Sequence, residues 1–162
     1  MRLTGWRARS AATLALALAV GCNNAPDRVF ISMGTAPPGG AFFVVGTALT
    51  EVLGAAGADR NWQVTAEGTS GSQENIRRLT QGELDFALSN AAITYFAVRG
   101  TQGWDRQYPV QSVMTLAPNV ALFITKASSN IKTIADLKGQ RVVIGPAGAG
   151  FEYFVTPILE AH

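Results

Sequence analysis

From residue 28 onward the chain alternates short β-rich runs with segments whose apolar residues recur at helical spacing. Val29-Phe30-Ile31-Ser32-Met33 predicts a first strand. It is broken by Gly34-Thr35-Ala36-Pro37-Pro38-Gly39-Gly40, after which Phe42, Val45, Leu49, Val52 and Leu53 fall on one helical face. Trp62–Glu67 predicts a second strand, followed by Gly68-Thr69-Ser70-Gly71-Ser72 and a helix through Ile76 and Leu79 that stops at Gly82, the C′ place. Asp85 leads into a third strand, Phe86–Ser89, and Asn90 is placed to cap a helix carrying Ile93, Phe96 and Ala97 on one face. Three βα units in succession predict a parallel sheet covered by helices.

Beyond Arg99 the pattern loosens. A surface loop runs through Trp104, and two strands, Val113–Leu116 and Ala121–Thr125, flank Ala117-Pro118-Asn119. We expect a hinge over 118–125, between a first α/β lobe at 28–117 and the start of a second at 126–162. In that second part a short helix at 131–138 ends at Gly139, and Arg141–Ile144 is a strand that opens a further βα unit at Gly145-Pro146-Ala147-Gly148-Ala149-Gly150. Thr156-Pro157 either kinks the following helix or lets Thr156 cap a restarted one with Pro157 in its first position. No shared period of about 20–50 residues points to a repeat array.

Composition changes the picture at the N-terminus. Arg2, Arg7 and Arg9 precede the uncharged, Ala/Leu-rich run Ala11–Val20, which has the length of a signal-peptide core and is short for a membrane-spanning helix. Residues 1–22 read as an export signal. Its end, Ala19-Val20-Gly21-Cys22, resembles a lipoprotein processing site at which Cys22 becomes the lipidated first residue. Ala19 stands there in place of the usual Leu. Without Arg2, Arg7 and Arg9, ten basic side chains face eleven acidic ones, a net charge of −1, so the basic isoelectric point belongs to the targeting segment. The remaining cations are scattered, with Arg77 and Arg78 the adjacent pair, which fits solvated helix faces and argues against nucleic acid as a partner. Cys22 is the one cysteine, which excludes an intrachain disulfide and a Cys-built metal site, and with His162 the one histidine a Ser-His-Asp arrangement or a His-rich metal site has almost nothing to be built from.

The candidate chemistry sits where strands end and helices begin. Loops 34–40, 68–72 and 145–150 are rich in glycine and small residues, and in an open α/β sheet such junctions gather at the carboxyl edge, where ligands bind. Each leads into a helix N-terminus, whose free N–H groups favour an anion by about 0.3–1 kcal/mol. Thr35, Gly39 and Gly40 belong to the first; Ser70, Gly71, Ser72 and Asn75 to the second; Gly148, Ala149 and Gly150 to the last. Ser89 and Asn90 add donors after the third strand. One such loop alone is more often just a tight turn, but three in one sheet shift the balance toward binding. The glycines of 145–150 miss the dinucleotide spacing, and no Gly-Lys-Ser/Thr occurs, so nucleotide cofactors are not expected. Of the aromatics near these loops, Phe42, Phe96 and Trp104 read as core and Phe43 as a ligand-contacting candidate.

Gly34-Thr35 followed by Gly39-Gly40, Phe42-Phe43 and Gly46, then Gly71-Ser72-Gln73-Glu74-Asn75-Ile76, then Thr133-Ile-Ala-Asp-Leu-Lys-Gly-Gln-Arg-Val-Val-Ile-Gly145, resembles the TAXI family of TRAP-transporter solute receptors over about residues 28–162. The Ala-Asp-Leu-Lys-Gly-x-Arg-Val stretch is shared widely among type II periplasmic binding proteins, whereas the two upstream motifs are more specific. The resemblance implies a type II-like α/β fold in which two parallel-sheet lobes, joined by crossover strands, close over a small carboxylate-bearing solute such as glutamate or a 2-oxoacid. It also implies a periplasmic receptor that hands its solute to the membrane subunits of an ion-driven permease, touching the membrane itself only through a lipid on Cys22. No cofactor is implied.

Two departures bear on the ligand. Relatives carry Tyr where Phe42 and Phe43 stand, and a Gly-Ser-Gly-Thr-Glu run where this chain has Gly148-Ala149-Gly150-Phe151-Glu152. A hydrogen bond to a charged group contributes about 1.5–3 kcal/mol, so each missing donor weakens a carboxylate clamp by roughly ten- to a hundredfold. A less polar acid, or weak binding, is therefore expected. A second lobe of this type needs more chain than 126–162, so the sequence reads as a fragment with that lobe truncated. Two other functions compete with transport. One is a type II-like enzyme, disfavoured because Glu67 and Asp85 are the acids nearest strand ends and neither has a basic neighbour in sequence. The other is a surface lipoprotein with no transport role.

Overall fold

The computed structural model describes residues 27–118 and 120–162; the expected export signal at 1–22 and the expected lipidation of Cys22 lie outside them. Strand β1, Val29–Gly34, leads through the first glycine loop to helix α1, Ala41–Ala56. A short 3-10 turn, Ala58–Arg60, precedes β2, Trp62–Glu67, and α2 follows over Ser72–Thr80. Strand β3 is Phe86–Ala87 and α3 is Ala91–Arg99. A 3-10 turn at Ala135–Leu137 and helix α4, Glu152–Glu160, complete the regular elements among the described residues.

The predicted βα units form one parallel sheet in the order β2-β1-β3. Its register pairs Val29 with Trp62 and Gly34 with Glu67, so β1 and β2 end level and their following loops lie side by side. β3 is shorter than the expected 86–89, pairing only Phe86 with Met33 and Ala87 with Gly34. Helix ends follow the local chemistry. Asn90 caps α3 by accepting from Ala92 N–H, as expected, and Gly82 turns left-handed just after α2, its N–H on the Leu79 carbonyl.

Adjacent residues at the end of β1 meet different helices, Gly34 meeting Asn75 of α2 and Thr35 meeting Gly46 of α1, as right-handed crossovers in the order β2-β1-β3 require of helices on opposite faces. α1 reaches the end of β1 at Gly46, where a Cβ would lie 2.3 Å from Thr35 Cγ2; only a glycine permits that approach. On the other face Ile76, Ile93, Ala97, Trp104 and Tyr108 form the buried core, with Phe96, Val110, Tyr153 and Phe154 against it. Trp104 thus belongs to the core, as its type suggested, although its loop was read as surface. Nor are the two arginines of α2 merely solvated: Arg77 lies over the Trp104 ring at 4.9 Å, and Arg78 bonds Glu67 and Glu83.

The later segments differ from expectation. Neither 113–116, nor 121–125, nor 141–144 forms a strand: each runs with large apolar residues exposed, Ile124 at 88% and Val143 at 95%. A strand is a pairing of backbone groups, and among the described residues these segments form no ladder with a neighbour. The helix expected over 131–138 shrinks to the 3-10 turn, held by the Asp136 carboxylate accepting from the N–H groups of Lys132 and Thr133. Pro157 lies inside α4 rather than in a first position, so the restarted helix does not occur. No helix among the described residues is long and apolar enough to cross a membrane.

Candidate functional site

The level ends of β1 and β2 bring the first two glycine loops together, and side-chain bonds lock them. Thr35 is wholly buried; its hydroxyl and its N–H both donate to the Glu67 carbonyl, at 2.6 and 2.9 Å. The Thr69 hydroxyl returns a bond to the Thr35 carbonyl at 3.1 Å and accepts from Gly71 N–H at 3.2 Å. Asn75, also fully buried, donates both amide hydrogens across the edge, to the carbonyls of Thr35 and Leu88 at 2.8 Å each. Its Oδ1 has no hydrogen-bond partner among the described residues and lies against Gly34, where a Cβ would come within 2.6 Å of it. Ser72 is buried as well, its hydroxyl accepting from Asn90 N–H at 3.0 Å.

Thr35 and Asn75, chosen from the sequence as ligand donors, therefore give their side-chain hydrogens to backbone carbonyls at the strand ends, and Ser72, closed to solvent, uses its oxygen as the acceptor that ties Asn90 to α2. Ser89 bonds the Thr94 hydroxyl at 2.8 Å, and the Asn90 side chain is the cap of α3. Ser70 gives its N–H to the Glu74 carboxylate at 2.8 Å. That contact, first through the Ser70 side chain and then its backbone, lowers the Glu74 carboxyl below the ordinary glutamate range, with the Arg78 guanidinium assisting.

The lobe-two loop joins this edge directly. Gly148 carbonyl accepts from the N–H groups of Gln73 and Glu74, at 3.1 and 3.2 Å, in the first turn of α2. Ala149 is buried against Gly71, whose absent Cβ would sit 3.2 Å from Ala149 Cα. Gly150 packs on Ile93. The Gln73 side chain, which sequence reasoning did not single out, donates to the Tyr153 hydroxyl. No sequence signal marks this pair, because the residues are eighty positions apart.

The first junction is left open. Gly40 begins α1 with no side-chain cap, no acid stands in its first turn, and Gly39 has nothing near the place of a Cβ. Phe43 lies half-buried beside Gly68, so it borders both the first and second loops.

The model of the NMT1-like family matches residues 33–162, from the end of β1 through α4. This chain belongs to the NMT1-like family. The family is periplasmic-binding-protein-like and its character is solute binding, and the three-stranded parallel sheet with its flanking helices is compatible with one lobe of such a protein.

Two distinct regions of this NMT1-like chain are candidates for a solute site. One is the junction edge, where α1 keeps its first-turn N–H groups and Phe43 stands alongside. The other is an open groove of about 1010 Å³ between 120–126 and 141–145, walled by Leu122, Ile124, Val142, Ile144 and Phe151. Asn90 borders that groove; the remaining predicted binding residues do not. Glu67, read as lacking a basic neighbour, has one in space: Arg78 bonds it at 2.6 Å, which raises the guanidinium pKa still further. Asp85 accepts from Ser32 N–H and hydroxyl at 2.8 and 3.0 Å, at the entry to β3. Among the described residues no cluster of three His, Cys, Asp or Glu is arranged to hold a metal ion.

Proposed function

We propose that this chain is an extracytoplasmic solute receptor of the TAXI type, capturing a small carboxylate-bearing solute, glutamate- or 2-oxoacid-like, for a TRAP-type secondary transporter. The observation that carries the reading is the convergence of three glycine-rich loops at one edge of an NMT1-like chain, two of them βα junctions and the first an uncapped helix N-terminus. A carboxylate placed at the start of α1 accepts from backbone N–H groups and gains the helix dipole, while Phe43 covers the apolar part of the solute. The motifs Gly34-Thr35, Gly39-Gly40 and Gly71-Ser72-Gln73-Glu74-Asn75-Ile76 support the TAXI assignment within the family. In this reading the protein is not an enzyme. It is exported by residues 1–22, resides in the periplasm, is held to a membrane by lipid on Cys22, and meets the membrane subunits of its permease.

Ala149 and Phe151 stand where hydroxyls are expected, so the solute is an acid with a less polar body than glutamate. Calorimetry of the protein with glutamate, 2-oxoglutarate and a branched-chain 2-oxoacid tests both points. Binding strongest to the branched-chain acid is the expected result. Tight glutamate binding would sink the preference, and no binding of any of the three would sink the receptor.

A further inference from the structure

The receptor reading leaves the groove between 120–126 and 141–145 unused, and its lining has a chemistry of its own. At about 1010 Å³ it lies at the upper end of the roughly 300–1,000 Å³ typical of small-molecule sites. Both walls carry aliphatic side chains that the protein itself does not cover: Leu122 is 76% exposed, Ile124 88% and Val143 95%. Continuous apolar surface of this kind marks a contact site, whereas single exposed apolar residues need no explanation.

The charges in the lining are all of one sign. Lys126, Lys132 and Arg141 line the groove, and no Asp or Glu does. Every ion pair among the described residues is made by Arg77 or Arg78, so these three cations have no carboxylate partner there. Asp136, an acid of the same stretch, gives its Oδ2 to the N–H groups of Lys132 and Thr133 and is not part of the lining. Lys126 directly follows one wall in sequence, and Arg141 directly precedes the other. Aliphatic walls edged by cations alone complement a hydrocarbon chain that ends in an anion. A short polar acid would leave the walls wet, and a neutral hydrocarbon would leave the cations unused.

We propose that this groove binds the monomeric anion of a medium- to long-chain fatty acid, its alkyl chain between the walls at 122–124 and 142–144 and its carboxylate among Lys126, Lys132 and Arg141. The site is separate from the α1 junction and does not rest on the receptor reading. Each CH2 group that leaves water tightens binding by about two- to fourfold, the higher figure for complete burial. One exposed ion pair adds at most about fivefold. Chain length therefore sets the affinity, and the charge of the head sets the selectivity.

The test is calorimetry of the full chain with octanoate, decanoate and dodecanoate, each kept below the concentration at which it forms micelles. One site per chain is expected, with affinity rising about two- to fourfold per added CH2. Decanol is expected to bind about fivefold more weakly than decanoate, and decyltrimethylammonium more weakly still. Lys126→Gln, Lys132→Gln and Arg141→Gln combined should weaken decanoate about tenfold and leave decanol unchanged. Ile124→Glu and Val143→Glu, both at exposed positions that the fold tolerates, should weaken both ligands about tenfold, the value of two CH2 groups kept in water. Equal affinity for the acid, the alcohol and the cation would overturn the proposal, as would decanoate binding that the two glutamate variants leave intact. So would a protein that ignores monomeric decanoate but sediments with phosphatidylglycerol vesicles, or a dimer in sedimentation equilibrium that decanoate does not enter. Displacement of decanoate by 2-oxoglutarate would overturn the separateness of the two sites. Decanoate binding with no 2-oxoglutarate binding would uphold the groove and overturn the receptor reading instead.

Discussion

Replacing Asn75 by alanine tests whether one side chain holds the junction edge together. Its amide gives the Thr35 and Leu88 carbonyls a bond each at 2.8 Å, with no solvent access. In the alanine variant the Thr35 carbonyl keeps the Thr69 hydroxyl at 3.1 Å, whereas the Leu88 carbonyl loses the bond that Asn75 gave it. An orphaned buried acceptor costs about 1–3 kcal/mol, and the vacated amide volume adds a cavity of its own. Against this, the variant also removes Oδ1, which has no partner in the native protein. The balance is a loss of about 2–3 kcal/mol, a large part of the roughly 5–15 kcal/mol that a domain has. Urea unfolding followed by tryptophan fluorescence reads it as a midpoint lowered by about 1–2 M for an m-value near 1.5–2 kcal/mol/M. Asn75→Asp is expected to be worse at neutral pH, because a buried carboxylate then faces carbonyl oxygens, and to recover as acid protonates it. An alanine variant within about 0.5 kcal/mol of wild type, outside the effect expected of a buried network, would refute the assignment. So would an aspartate variant as stable as the alanine one at pH 7.

Four further substitutions, at three residues, probe other contacts. Gly71→Ala forces an L side chain onto φ +123° and against Ala149 Cα, so it is expected to lose about 1–3 kcal/mol and to release the 148–150 loop, visible as faster exchange there. The Glu74 carboxyl is lowered in the folded state; its contribution is complete above the ordinary glutamate range and disappears as pH falls through the lowered folded value. Acid unfolding of Glu74→Gln should therefore show a shallower slope than wild type in that window. Trp104→Ala should cost about 3–5 kcal/mol, but Trp104→Phe under about 1.5 kcal/mol, because the indole N–H is buried without a partner and its loss removes a penalty. Thermal melts of the two variants decide this.

Periodicity carried the first half of the chain because there each element finds its partner within a few tens of residues. Val29–Gly34 pairs with Trp62–Glu67 in the next βα unit, and the glycine or asparagine that ends one element also shapes the entry to the next. The same alternation in Val113–Leu116, Ala121–Thr125 and Arg141–Ile144 marks residues suited to being covered, yet a strand requires a neighbour and periodicity does not name one. Arg78 illustrates the point at a single side chain. It sits eleven residues from Glu67 in sequence, and only the parallel pairing of β1 with β2 and the return of α2 along the sheet bring the two to 2.6 Å.

The meeting of the glycine-rich loops was legible in the sequence, and the use of each donor there was not. Gly, Ser, Thr and Asn at strand ends do mark the carboxyl edge, but the hydroxyls and amides there have two uses with the same composition: to face a solute, or to satisfy the backbone groups that strand ends leave unpaired. Burial separates the two. Thr35, Ser72 and Asn75 are all but closed to solvent and bond the Glu67 carbonyl, Asn90 N–H, and the Thr35 and Leu88 carbonyls, which makes them the frame. Once they are subtracted, the uncapped first turn of α1 is the junction whose donors are not committed, and the α2 donors are committed to Gly148. Backbone N–H groups of this kind recognise a carboxylate by charge and reach and do not distinguish one acid from another. In the proposed receptor, discrimination would fall on what touches the rest of the solute, and Phe43, beside Gly68 at the junction edge, is the predicted residue nearest to that role.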